Sequence, residues 1–91
     1  METIYKYTLS PMDKQCIEIQ SDKILSLETQ NDNVVIYALV NTELKCKIYE
    51  FRTVGTGYTI NFDASLYTFL GTAKLEKGNL MFHIFYRSIE V

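Results

Sequence analysis

The chain has 91 residues, about half of them hydrophobic (47%) and 22% charged, with a formal charge of −2. That length fits one domain with one thin core, and the composition excludes a disordered chain because enough apolar surface exists to offset chain entropy. The nine basic residues are scattered, which excludes the concentrated basic surface that duplex nucleic acid binding needs. A small anionic ligand is compatible with this balance, since it needs only one or two well-placed cations and some backbone N–H groups.

Taken in order, the chain reads as short runs rich in Val, Ile, Tyr, Phe and Thr between turn residues, the pattern of antiparallel strands. Thr3 to Leu9 alternates, with Tyr5, Tyr7 and Leu9 opposing Ile4, Lys6 and Thr8, until Pro11 stops it. Gln15 to Gln20 is a second strand that Ser21-Asp22 ends. Lys23 to Gln30 and Val34 to Val40 form a hairpin through Gln30-Asn31-Asp32-Asn33, whose Asn and Asp tolerate positive φ.

Val34 to Val40 is apolar on both faces and is expected to be a central strand, covered on both sides by a second layer or a partner subunit. In Leu44 to Val54 the apolar positions shift from Leu44, Cys46 and Ile48 to Tyr49 and Phe51, which predicts a bulge. Tyr58 to Ile60 reads as a short extended piece, and Asn61 to Ser65 as a loop or one helical turn. Leu66 to Leu75 and Asn79 to Arg87 make a closing hairpin through Glu76-Lys77-Gly78-Asn79. The expectation is an all-β fold over residues 1–91, a small antiparallel β-sandwich or partly open barrel of seven to eight short strands.

The N-terminus lacks a basic segment followed by a long apolar stretch, and the longest apolar run is far short of the roughly 20 residues of a membrane span. Both point to the cytoplasm and away from a membrane. Cys16 and Cys46 are expected as two buried, reduced thiols serving as small hydrophobes.

Catalysis needs a nucleophile, a base and an orienting group, or several metal ligands at close spacing. Neither cysteine is near the single histidine in sequence, no Cys-x-x-Cys or His-x-His occurs, and the acids are dispersed. The chain therefore reads as a binding protein, not an enzyme, with no cofactor and no metal. Candidate ligand contacts fall in three places. Gly55, Thr56, Gly57 and Tyr58 form a segment permissive of positive φ whose N–H groups could make an anion-binding nest, or simply a tight bend. Arg52 and Arg87, the only arginines, each end an aromatic-rich strand, joining planar donor forks to stacking faces. His83 lies between aromatic neighbours, on the side of Met81 and Phe85, either as a hydrogen-bonded packing residue or as a ligand contact.

Ile4-Tyr5-Lys6-Tyr7-Thr8-Leu9, Ile24-Leu25-Ser26-Leu27, Gln30-Asn31, Tyr37-Ala38-Leu39-Val40, Gly55-Thr56-Gly57, Phe69-Leu70-Gly71-Thr72 and Phe82-His83-Ile84-Phe85 together resemble a family of short phage and prophage proteins, mostly of unknown function. The resemblance spans nearly the whole chain and implies a β-rich fold in an infected bacterial host. Small phage proteins of this look include sponges that bind the cyclic nucleotide signals of bacterial immunity without cleaving them. On that likeness Gly55, Thr56 and Gly57 would contact phosphates, Arg52, His83 or Arg87 would assist, and tyrosines would stack on bases. The implied partners are a small nucleotide-type signal molecule and further copies of the chain in a homo-oligomer. The alternative is a protein-interaction module that inhibits a host defence protein or serves in phage assembly.

Overall fold

Seven strands arranged as two antiparallel sheets account for most of the computed structural model, which describes residues 1–89. They are β1 (Glu2–Thr8), β2 (Lys14–Ile19), β3 (Ser21–Gln30), β4 (Asn33–Asn41), β5 (Lys47–Gly55), β6 (Thr68–Leu75) and β7 (Leu80–Ile89). One sheet has the order β1-β4-β3 and the other the order β2-β5-β7-β6. The expected small sandwich is what forms.

Alternation explains which side chains meet between the sheets. Val34, Ile36, Ala38 and Val40 of β4 face Tyr49 and Phe51 of β5, Ile84 of β7 and Ala73 of β6, all buried in one cluster. Fully burying a side chain such as Ile36, Phe51 or Ile84 contributes roughly 1.5–3 kcal/mol, so this cluster is the main source of stability. At Gly71 the backbone of β6 comes so close to Leu27 of β3 that a Cβ would sit 3.2 Å from its side chain. Glycine at that point lets the two sheets close together.

Two hairpins follow the sequence reading. Asn31 (φ 50°) and Asp32 (φ 61°) make the tight turn between β3 and β4, and the Glu76–Gly78 turn joins β6 to β7. The second strand ends at Ile19, and Ser21-Asp22 open β3. The chain steps there from one sheet to the other, and the Tyr49 hydroxyl donates to the Ser21 carbonyl at 2.6 Å in a buried bond across the sandwich.

Four expectations need correction. No bulge interrupts β5, whose pairing with β2 and β7 is regular; Leu44 and Cys46 precede the strand, so the apparent shift joins a loop to a strand. The irregular pairings fall in β3 and at Phe69/Gly71 of β6. Tyr58 to Ile60 is not a strand. Both cysteines are exposed, Cys16 on the outward side of β2 and Cys46 in the loop before β5, because the inward positions of β2 go to Ile17 and Ile19. Finally, β4 is covered on one face only. On its other face Val35 is buried and Tyr37 and Leu39 half-buried, with no third layer among the described residues.

Candidate functional site

The outer face of the four-stranded sheet is built by the same alternation that builds the core. With Tyr49 and Phe51 pointing inward, Glu50, Arg52 and Val54 of β5 must point outward. Register then sets their neighbours on β7: Glu50 lies opposite Arg87, Arg52 opposite Phe85, and Val54 opposite His83. On β6, Phe69 pairs with Phe85 and Thr72 with His83. The segment between β5 and β6 folds back over this face. Within it Asp63 caps the short turn Ala64–Leu66, its carboxylate accepting from the Ser65 N–H (3.0 Å) and hydroxyl (2.6 Å), bonds that hold its pKa below the ordinary value.

Glu50 is the hub. Its side chain is only 2% exposed and accepts from Arg52 Nε (2.8 Å), from Arg87 Nη2 (3.2 Å) and from the Tyr67 hydroxyl. Burial by itself would raise the carboxyl pKa. The bonds from Tyr67, Arg52 and Arg87 outweigh it and hold the group at about 2. Glu50 is therefore a buried anion at neutral pH. Arg52 is held charged more firmly than an isolated guanidinium, chiefly through its 3.2 Å bond to the Tyr67 hydroxyl and then through Glu50.

Rings frame the two guanidiniums. Arg52 lies over Phe62 (5.1 Å to the ring centre) and Tyr67 (5.9 Å), and Arg87 over Tyr67 (4.8 Å). Phe62 meets Tyr67 edge-on at 4.9 Å, Phe85 packs against Phe62 and Phe69, and Phe69 is 54% exposed. Two positive charges against one negative leave the cluster with an excess positive charge. Arg87 is 38% exposed along its side chain, yet its Nε is buried and has no partner among the described residues. These features suit a planar anion that stacks on a ring and accepts from a guanidinium.

Along the same face, His83 sits between two threonine hydroxyls, with Thr56 Oγ1 at 2.8 Å from Nε2 and Thr72 Oγ1 at 2.9 Å from Nδ1. Among the described residues both ring nitrogens are taken by threonine hydroxyls and no carboxylate orients the ring, as it would in a triad, so the geometry is that of a side-chain staple between β6 and the turn after β5. That turn is Gly55 to Tyr58. The Tyr58 N–H donates to the Gly55 carbonyl at 3.1 Å, and Gly57 takes φ +86°, as the third position of a type II turn requires. The Thr56 N–H donates to the Met81 carbonyl at 3.3 Å. Two of the N–H groups that a nest would aim at an anion are thus engaged inside the protein.

Gly55 and Tyr58 also line a cavity of about 120 Å³ at the open end of the sandwich, together with Leu9, Val34 and Phe82 and the acids Asp13 and Asp32. It is smaller than the few hundred Å³ typical of a small-molecule pocket and has acids on its rim, so an anion is better served by the arginine face. Arg52, His83, Arg87 and Thr56 therefore share one sheet face, whereas Gly55 and Tyr58 border a second, acidic recess. The sequence reading missed Glu50, Phe62, Tyr67, Phe69 and Phe85. The signal for Glu50 was present in its place between two core residues, but its partner Arg87 emerges only once β5 is paired with β7.

A family model matches residues 1–90, nearly the whole chain. The chain belongs to the DUF7352 family, a domain of unknown function. No curated protein and no solved structure matches it. Among the described residues of this DUF7352 domain no helix is long and apolar enough to cross a membrane, and no group of three or more His, Cys, Asp or Glu is placed to hold a metal ion.

Proposed function

We propose that this DUF7352 domain is a non-catalytic binding protein whose ligand surface is the outer face of β2-β5-β7-β6. Its ligand is a nucleotide-type anion, held by Arg52 and Arg87 with a base stacked on Phe69 and Phe85 and released unchanged. The observation that carries the reading is the imbalance of charge at Glu50: two ring-framed guanidiniums converge on one buried carboxylate, leaving positive charge beside an exposed aromatic surface. Stoichiometric capture of a nucleotide-derived immune signal by a phage protein in the bacterial cytoplasm is the role that fits such a binder. A second copy of the chain is the other partner in this reading.

Calorimetric titration with cyclic di- and trinucleotides and adenosine-diphosphate-ribose isomers, followed by mass spectrometry of the ligand recovered after denaturation, tests the proposal. Saturable binding with intact ligand is expected, and Arg87→Ala should weaken it about tenfold or more, the scale of one lost charge-assisted bond. Cleaved ligand would make the protein an enzyme. Absence of binding across the panel would favour the module that contacts a host protein, for which exposed side chains such as Phe69, Tyr58 and Leu66 would be anchors.

A further inference from the structure

One edge of the three-stranded sheet is β1. It runs from Glu2 to Thr8 without a proline or a break in its pairing with β4, and Ile4 and Tyr5 on it are 58% and 50% exposed. The other edges differ. β3 and β6 are interrupted by register shifts, the usual protection of an edge, and the outward row of β2 is Lys14, Cys16 and Glu18, with no large apolar side chain. A long, regular edge with exposed apolar residues invites another strand.

Two backbone bonds fix which groups that edge offers. The Leu9 N–H donates to the Val34 carbonyl (2.9 Å), and the Thr42 N–H donates to the Met1 carbonyl (3.0 Å). Hydrogen-bonded pairs alternate along an antiparallel ladder, so the odd-numbered residues of β1 turn their backbone groups toward β4. Glu2, Ile4, Lys6 and Thr8 consequently aim their N–H and C=O groups at the open edge.

We propose that two copies of the chain pair antiparallel through β1, about a two-fold axis at Ile4. Only registers that oppose even-numbered residues to even-numbered residues use these groups, and charge selects among them. Pairing about Tyr5 sets Ile4 against Lys6, and pairing about Lys6 sets like charges together. Pairing about Ile4 sets Glu2 against Lys6 of the partner subunit twice over and Ile4 against its own copy, an isologous contact. Lys6, which reaches Gln30 at 2.5 Å in the single chain, exchanges that partner for a carboxylate.

The same register extends the outer face of β4 sideways without covering it. Ile4 lies beside Leu39 in the sheet, so pairing joins the two copies of these side chains into one continuous apolar row across a six-stranded sheet. Tyr5, on the opposite face, comes to lie beside Thr3 of the partner subunit.

The inference deepens the self-association part of the proposed function, and ligand binding is scored separately. The test is sedimentation equilibrium of the full chain without ligand at micromolar to submillimolar concentrations. The wild type is expected at twice 10.6 kDa. Lys6→Glu, which opposes acid to acid at both pairs, should raise the dimer dissociation constant about tenfold, and Glu2→Lys combined with Lys6→Glu should restore it. Ile4→Pro should give a folded monomer by circular dichroism, because the Ile4 N–H is outside the β1–β4 ladder.

A monomeric wild type, or a dimer that Lys6→Glu leaves unchanged, would overturn the proposal. So would a dimer that mild oxidation locks through Cys16, since that contact belongs to β2. A monomer that binds nucleotide overturns the β1 contact and leaves the ligand reading standing. A dimer of the expected register that binds none does the reverse.

Discussion

The outer face of the four-stranded sheet and the outer side of the three-stranded sheet solve different problems. On the first, all but the Arg87 Nε of the buried polar side-chain atoms find partners within the described residues: Glu50 is surrounded by three donors, His83 by two hydroxyls, and the arginines by rings. On the second, apolar side chains and backbone groups of β1 are left with water. A satisfied polar cluster holds a particular register in place within one molecule, because any slip would leave a charge buried and unpaired. An unsatisfied edge stores its binding capacity for a second molecule. One chain of this size has too little surface to cover both sheets, and it spends its extra segment, the loop carrying Phe62 and Tyr67, on the charged face.

Removal of the hub should have the largest effect. Glu50→Ala leaves two guanidiniums confined against aromatic rings without their carboxylate, and a loss of about 3–5 kcal/mol is expected in urea unfolding. Substitutions confined to the exposed β1 edge, such as Lys6→Glu, should leave the stability of the folded chain within about 0.5 kcal/mol once dissociation is accounted for.

Acid should act on the charged face through the same residue. The Glu50 carboxyl is held at about 2 in the folded chain against 4.5 for an unperturbed group. A depressed folded pKa means that the unfolded chain binds the proton first. The contribution is therefore complete above about pH 4.5 and is lost as pH falls toward 2, with up to about 3 kcal/mol involved. Thermal melts across that window should show the slope in the wild type and a shallower one in Glu50→Gln.

Two smaller effects refine the picture at the far end of the face. Gly57→Ala forces a Cβ into left-handed backbone at φ +86° with nothing nearby to clash, so its cost is conformational and should be about 1 kcal/mol, measured by chemical denaturation. Thr72→Val removes the hydroxyl at His83 Nδ1, a partly exposed bond, and should cost about 0.5–1 kcal/mol. If Thr72→Val instead weakens nucleotide binding with little change in stability, His83 belongs to the ligand surface as well as to the staple.

Much of the architecture was legible because strands announce themselves at short range. The alternation of Tyr5, Tyr7 and Leu9, the Asn31-Asp32 turn and the hairpin at Glu76 to Asn79 are local matters of pleat and backbone sterics. The alternation around His83 was equally plain, with Ile84 inward and Phe85 outward. The cysteines misled because residue-type averages favour burial, whereas pleat parity places Cys16 opposite Glu50 on the outside of the sheet. The bulge expected in β5 misled for a related reason: periodicity cannot say where a loop becomes a strand.

The fold class, the existence of the seven strands and the turns of two hairpins were legible in the sequence alone, since these follow from a period of two and from turn chemistry acting over a few residues. Tertiary structure alone decided that β5 pairs with β7 and β1 with β4. Those pairings join residues 37 and 39 positions apart, as in Glu50 with Arg87 and Glu2 with Asn41, and no local rule selects them. They depend on which apolar faces close on one another with the least water left between, and that choice made a charged hub of Glu50 and a free edge of β1.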